Sequence, residues 1–105
     1  GPMIETYLRE RATLRLVVSI LDVRHDPTGL DRDLIEWLRH FGRRHLIVLT
    51  KSDKLSRGEA LKRRSRIAAL LGPGELETPI LFSARTGEGK GEIWKVIRQV
   101  LPGKT

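Results

Sequence analysis

Three short polar clusters in this chain each follow an apolar run: Asp22-Val23-Arg24-His25, Thr50-Lys51-Ser52-Asp53 and Ser83-Ala84-Arg85. Between them they hold carboxylates, hydroxyls, an ammonium and two guanidinium groups. Such a set grips a polar ligand through hydrogen bonds and charge. In an open α/β sheet, ligands sit beyond the carboxyl ends of the strands, and all three clusters fall at such ends if the apolar runs are parallel strands. Metal chemistry has less to work with. The chain has no cysteine, so thiolate sites and disulfides are excluded, and His25, His40 and His45 lack metal-ligand spacing.

The elements that would position these clusters can be read in order. Thr6 to Leu14, charged with Tyr7, Leu8 and Leu14 interspersed, predicts a short helix. "LRLVVSILD", ending at Asp22, is a continuous β-branched apolar run of the kind found in buried strands. Pro27 and Gly29 then mark a turn. "DRDLIEWLRHF" sets Leu30, Leu34, Trp37, Leu38 and Phe41 at helical spacing, with Gly42 as a C-cap. "HLIVLT" is a second buried strand. Ser56, with Glu59 three residues on, predicts a capping box for a helix ending near "LLGPG". "TPILFSA" is a third short strand. "GEIWKVIRQVL" is an amphipathic helix with Ile93, Trp94, Ile97 and Leu101 on one side, stopped by Pro102-Gly103. Strands this apolar, alternating with helices, imply a three-layer α/β fold: a three-stranded parallel sheet with helices on both faces. Right-handed crossovers set the strands side by side in chain order.

The second and third clusters resemble the base-recognition motifs of translation-factor-like GTPases. "LDVRHDPTGLDRDLIEWL" narrows the resemblance, being similar to the Asp-x-Arg-His-x-Pro-Thr…Trp-Leu signature of EngB-type ribosome-biogenesis GTPases. "LTKSDKLSRGE" and "FSARTGEGKGEIW" match later segments of the same family. The resemblance runs from about Ile4 to Pro102, and it implies half of a P-loop GTPase (Ras-like) fold. It also implies a guanine-binding set of Thr50, Lys51, Ser52, Asp53, Ser83, Ala84 and Arg85. In that set the Asp53 carboxylate accepts the guanine ring N–H and exocyclic amine. Lys51 lies along the base, and the Ala84 amide meets the guanine carbonyl. Arg85 stands where the family usually has lysine, and its planar guanidinium can stack on the base. Adenine lacks the donor pair, so the wrong base leaves a buried acceptor unmet, at about 1–3 kcal/mol.

The family's earlier motifs are absent from this sequence. There is no Gly-x-x-x-x-Gly-Lys-Ser/Thr: the single Gly-Lys-Thr is Gly103-Lys104-Thr105, and Arg98 occupies the place of the first glycine. That tail also lies beyond the end of a helix, whereas a phosphate loop opens one. Residues 3–105 are therefore expected to be the C-terminal half of the domain, from the end of the family's helix 2 through its helix 5. Gly1-Pro2 reads as a cloning scar. No catalytic residue and no metal ligand are assigned. No cofactor is expected on this half, whereas the intact parent would use GTP or GDP with Mg²⁺.

The expected function is guanine recognition without hydrolysis, in a parent acting in ribosome assembly and cell division with the ribosomal subunit or its RNA as partner. The resemblance implies a family sheet of order 2-3-1-4-5-6 divided between strands 1 and 4, which leaves residues 15–21 as a bare edge, so self-association is expected there. The net charge of +7 concentrates in Lys62, Arg63, Arg64 and Arg66, which could contact RNA. The alternatives are a basic RNA-binding module and an inert fragment. No apolar run approaches the roughly 18 to 20 residues of a membrane span. With no signal peptide and no cysteine, a cytoplasmic protein is expected.

Overall fold

A computed structural model describes residues 16–40, 44–72 and 78–100. The expectations for Gly1-Pro2, for a helix at Thr6–Leu14 and for Gly42 lie outside those residues. Strand β1 spans Leu16–Asp22, helix α1 Gly29–Arg39, β2 Arg44–Thr50, α2 Arg57–Leu70, β3 Ile80–Leu81 and α3 Lys90–Val100. A single 3₁₀ turn, Ser52–Lys54, joins β2 to α2.

The strands lie in the order β1-β2-β3, all parallel. Register runs from Leu16 opposite Arg44 to Asp22 opposite Thr50, and Val48 and Leu49 face Ile80 and Leu81. Because side chains alternate across a strand, β2 feeds two cores. Ile47 and Leu49 join Val23, Ile35, Ala60, Ile67, Leu71 and Leu81 on the α1/α2 face. Leu46 and Val48 join Ile80 on the other, where Ile93 and Val96 of α3 pack. Each fully buried aliphatic side chain contributes about 1.5–3 kcal/mol, so this central strand anchors the three layers.

Helix starts are set by local chemistry. Ser56 Oγ accepts from the Glu59 amide (3.2 Å) while Glu59 Oε1 accepts from the Ser56 amide (3.1 Å). Thr28 and Asp31 form the same reciprocal cap on α1, at 3.0 and 2.9 Å. This second box is legible as Thr-x-x-Asp. Past α2, Gly72 takes a φ of +94°, a backbone turn suited to glycine.

On two helices the apolar positions at helical spacing are only partly covered, and Phe41 and Leu101 lie outside the described residues. On α1 the buried residues are Ile35 and Leu38, while Leu30 is 79% exposed. On α3, Ile93 and Val96 face the core and Trp94 is about half exposed. Both helices carry an apolar arc wider than the sheet can cover, so spacing identifies the arc while packing selects its buried edge. The third strand is shorter than "TPILFSA" suggests. Its ladder ends as the Phe82 amide donates to the Leu49 carbonyl at 2.8 Å, after which the chain turns into the 83–89 loop.

Candidate functional site

The carboxyl ends of β2 and β3 meet through side chains. Lys51 adopts the left-handed conformation (φ 63°, ψ 33°), the one positive-φ non-glycine residue among those described. Holding a non-glycine residue there costs on the order of 1 kcal/mol or more, so the neighbours must hold it. They do so through the Ser52 amide, which donates to the Phe82 carbonyl (3.1 Å), and the Lys54 amide, which donates to the Lys51 carbonyl (3.0 Å). The chain thereby turns sharply and presents Asp53 to the next strand end.

There the Ser83 hydroxyl, wholly buried, donates to Asp53 Oδ1 at 2.8 Å. Ser83 Oγ also accepts from the Thr86 amide (3.1 Å), which closes the 83–86 turn. The hydrogen bond from Ser83 holds the Asp53 carboxyl below its ordinary value; partial burial opposes this, and the charges of Lys54 and Arg85 add to it. Asp53 Oδ2 accepts no side-chain hydrogen bond among the described residues, and the adjacent Ala84 amide has no partner there either. An ionised acceptor and an unpartnered backbone donor therefore stand at the ends of β2 and β3, with the exposed Lys51 and Arg85 close to them in sequence.

Two members of the expected set turn inward. The Thr50 hydroxyl donates to the Leu21 carbonyl (3.3 Å), and the buried Ser52 hydroxyl donates to Glu88 Oε1 (2.6 Å). Their hydroxyls serve the scaffold. Sequence reasoning does not single out Glu88, and the signal that marks it is its position between Gly87 and Gly89, both at positive φ.

The first cluster adjoins the 50–53 loop but is built around an ion pair of its own. Asp22 is gripped by Arg24 through Nε (3.1 Å), Nη2 (2.8 Å) and the backbone amide (2.9 Å), which holds its carboxyl well below the usual range. Lys51 Nζ lies 3.8 Å from Asp22 Oδ2, linking the cluster loosely to the 50–53 loop. The basic run is also partly committed. Arg63 and Arg66 both pair with Asp26 at 2.8 Å, and Arg63 Nε donates to the Val23 carbonyl (2.9 Å). Those bonds fasten the loop after β1 to α2. Lys62 remains exposed and Arg64 partly so.

No family model matches the chain. Individual proteins do. The chain is 54% identical over 99 residues to a protein of Syntrophus aciditrophicus named Probable GTP-binding protein EngB, covering 94% of this chain and 50% of that protein. By sequence, the chain corresponds to the C-terminal half of EngB. Bearers of the same name in Geotalea daltonii and Lactiplantibacillus plantarum are 44% and 46% identical, over 105 and 97 residues. These matches cover 100% and 92% of the chain but 50% and 49% of the relatives. The chain thus spans about half the length of the curated relatives it matches. Translation elongation factor SelB of Methanococcus maripaludis, in its apo form, superposes with a TM-score of 0.73 at 23% identity, over 98% of this chain and 23% of SelB. The form in complex with the GTP analogue GppNHp gives 0.70 at 21% identity, over 99% of this chain and 24% of that one. The three parallel strands and their helices therefore share the fold of that part of SelB. Among the described residues no group of three or more His, Asp or Glu side chains is placed to hold a metal ion, and no helix is long and apolar enough to cross a membrane.

Proposed function

We propose that this chain is the guanine-reading half of an EngB-type GTP-binding protein, selecting the base without gripping or cleaving the triphosphate. The observation that carries the reading is the Ser83–Asp53 hydrogen bond of 2.8 Å. It holds an ionised carboxylate at the end of β3, where the Ala84 amide follows Ser83 in the chain. A guanine edge offers that pair two donors and one acceptor, and an adenine edge does not. Lys51 and Arg85 are the residues that would flank the ring. Phosphoryl transfer needs a phosphate loop and Mg²⁺ ligands. The sequence holds no such loop, so binding by this chain is expected to be weak and hydrolysis absent. In the whole protein GTP or GDP with Mg²⁺ would be the ligand, cytoplasmic ribosome assembly and cell division the setting, and the ribosomal subunit the partner.

Calorimetric titration tests the reading. GDP should release heat where ADP does not, and Asp53→Ala should abolish that preference, at about 1–3 kcal/mol of lost discrimination. Heat from neither nucleotide, or an unchanged preference in the variant, sinks the proposal. A basic RNA-binding module predicts the opposite pattern: salt-dependent binding indifferent to Asp53. With Arg63 and Arg66 tied to Asp26, fewer free cations remain to support it.

Self-association belongs to the same proposal, with a second copy of this chain as the partner. Among the described residues β1 pairs only with β2, leaving its other edge open, and Leu16–Leu21 carries no charge to repel a copy of itself. Ile20, 67% exposed, stands on that edge. It also lines an apolar trough with Val18, Phe82, Trp94 and Ile97. Antiparallel pairing about a two-fold axis would join the same row of backbone groups on both chains. Sedimentation should show a concentration-dependent dimer that Ile20→Lys dissociates. A monodisperse monomer at high concentration overturns it.

A further inference from the structure

Glu88 occupies a crossing point that the base-recognition motifs do not include. Its carboxylate accepts from the Ser52 hydroxyl through Oε1 at 2.6 Å and from the Arg57 guanidinium through Oε2. Ser52 lies in the 50–53 loop and Arg57 opens α2. On the backbone side, the Glu88 carbonyl accepts from the Ser83 amide at 3.1 Å, and its own amide donates to Thr86 Oγ1 at 3.2 Å. A single residue therefore bonds to both loops, through its side chain to one and its backbone to the other. Ser52 is 4% exposed and Ser83 fully buried, so the groups that Glu88 holds on the two loops are interior, while its own carboxylate is 32% exposed. The flanking glycines make this placement possible, at φ of +85° for Gly87 and +84° for Gly89.

We propose that Glu88 is the positioning residue that holds the 50–53 and 83–86 loops in register, so that Asp53 and the Ala84 amide meet the same edge of one base. This rests on the guanine-reading proposal above. Without the Ser52–Glu88 bond, the Ser83–Asp53 contact alone would join the side chains of the two motifs. The backbone bond from the Ser52 amide to the Phe82 carbonyl fixes where the turn begins, and the Ser52–Glu88 bond adds a side-chain tie on its far side. The consequence falls on selectivity: a tilted Asp53 still reaches one guanine donor but loses the second.

Two readouts separate this role from general stabilisation. Amide hydrogen exchange is measured without nucleotide on the chain, on Glu88→Ala, Glu88→Gln and Ser52→Ala. Exchange at the Ser52 and Ser83 amides should rise about tenfold in Glu88→Ala and Ser52→Ala, the scale of one hydrogen bond to a charged group. Glu88→Gln keeps an acceptor for Ser52 and should fall between. Core amides of β2, such as Ile47, should not change. Affinities for GDP and IDP are then compared, since hypoxanthine lacks the exocyclic amine. The ratio of GDP to IDP affinity should fall about fivefold in Glu88→Ala, a loss of roughly 1 kcal/mol of discrimination. Unchanged exchange at Ser52 and Ser83 overturns the proposal. So does an equal loss for GDP and IDP, or a rise in exchange spread uniformly over the fold. If the unaltered chain binds neither nucleotide, the guanine reading fails and the exchange result alone decides the role of Glu88.

Discussion

Gly89→Ala should cost this fold about 3 kcal/mol or more, lowering its melting temperature by on the order of 15 °C. Two separate penalties combine. At φ +84° an alanine enters the left-handed region, at about 1–2 kcal/mol. Its Cβ would also stand 2.1 Å from the Leu81 carbonyl oxygen and 3.1 Å from Ile80 Cγ2. The carbonyl belongs to β3, which is held to β2 at Leu49, so it has little room to retreat. Gly87→Ala supplies the control. Its φ is +85°, yet a Cβ there would meet nothing within 4 Å, which leaves the conformational cost alone. Denaturant unfolding of both variants separates clash from strain. Equal losses would mean the 2.1 Å approach relaxes at no cost. Gly89→Ala should also displace Glu88 and loosen the base loops, an effect that Gly87→Ala shares only weakly.

What could be read from the sequence and what could not divide along the distance between partners. The strands, their parallel order and the Ser56–Glu59 cap depend on patterns within one element, and those patterns are legible. Motif resemblance groups Asp53 and Ser83 in one expected set, but the hydrogen bond between them is read only from the structure. Contacts outside any motif are hidden. Glu88 meets Ser52 across 36 positions, and Arg66 meets Asp26 across 40. The flanking glycines mark Glu88 but not its partner, and nothing local marks the Arg66–Asp26 pair, so Arg63 and Arg66 read as a free basic face while the fold uses them as a clasp. The buried edges of α1 and α3 are hidden for a related reason. An apolar arc wider than its footprint has several acceptable rotations, and only the crossover geometry chooses among them.

His45 shows how much a strand position can conceal, and it leads to the second large effect. Spacing tests it only as a metal ligand, yet in the fold it is 7% exposed on β2, with Nε2 2.7 Å from Ser19 Oγ. Its Nδ1 has no partner among the described residues. A neutral imidazole tolerates that arrangement if the proton sits on Nε2 and Nδ1 is a bare acceptor. A protonated ring would bury a second N–H with nothing to receive it. Burial, with the nearby Arg39 guanidinium adding, pushes the His45 pKa down to about 4 from its ordinary 6.5. Between those values the unfolded chain binds a proton that the folded chain refuses, so stability rises with pH across the window. It is fully present above about pH 6.5 and is lost as pH falls towards 4, a change of about 3 kcal/mol. The carboxylate pairs act lower. Asp26, held down to about 2 by Arg66 and Arg63, weakens the fold only as pH falls below the ordinary aspartate value towards 2. Urea unfolding from about pH 7.5 to 4.5 should therefore show the loss at intact carboxylate pairs, and His45→Gln should flatten the curve across that range. A slope that survives in His45→Gln would assign the proton uptake to another group, and the buried imidazole would then carry no pH sensitivity of its own.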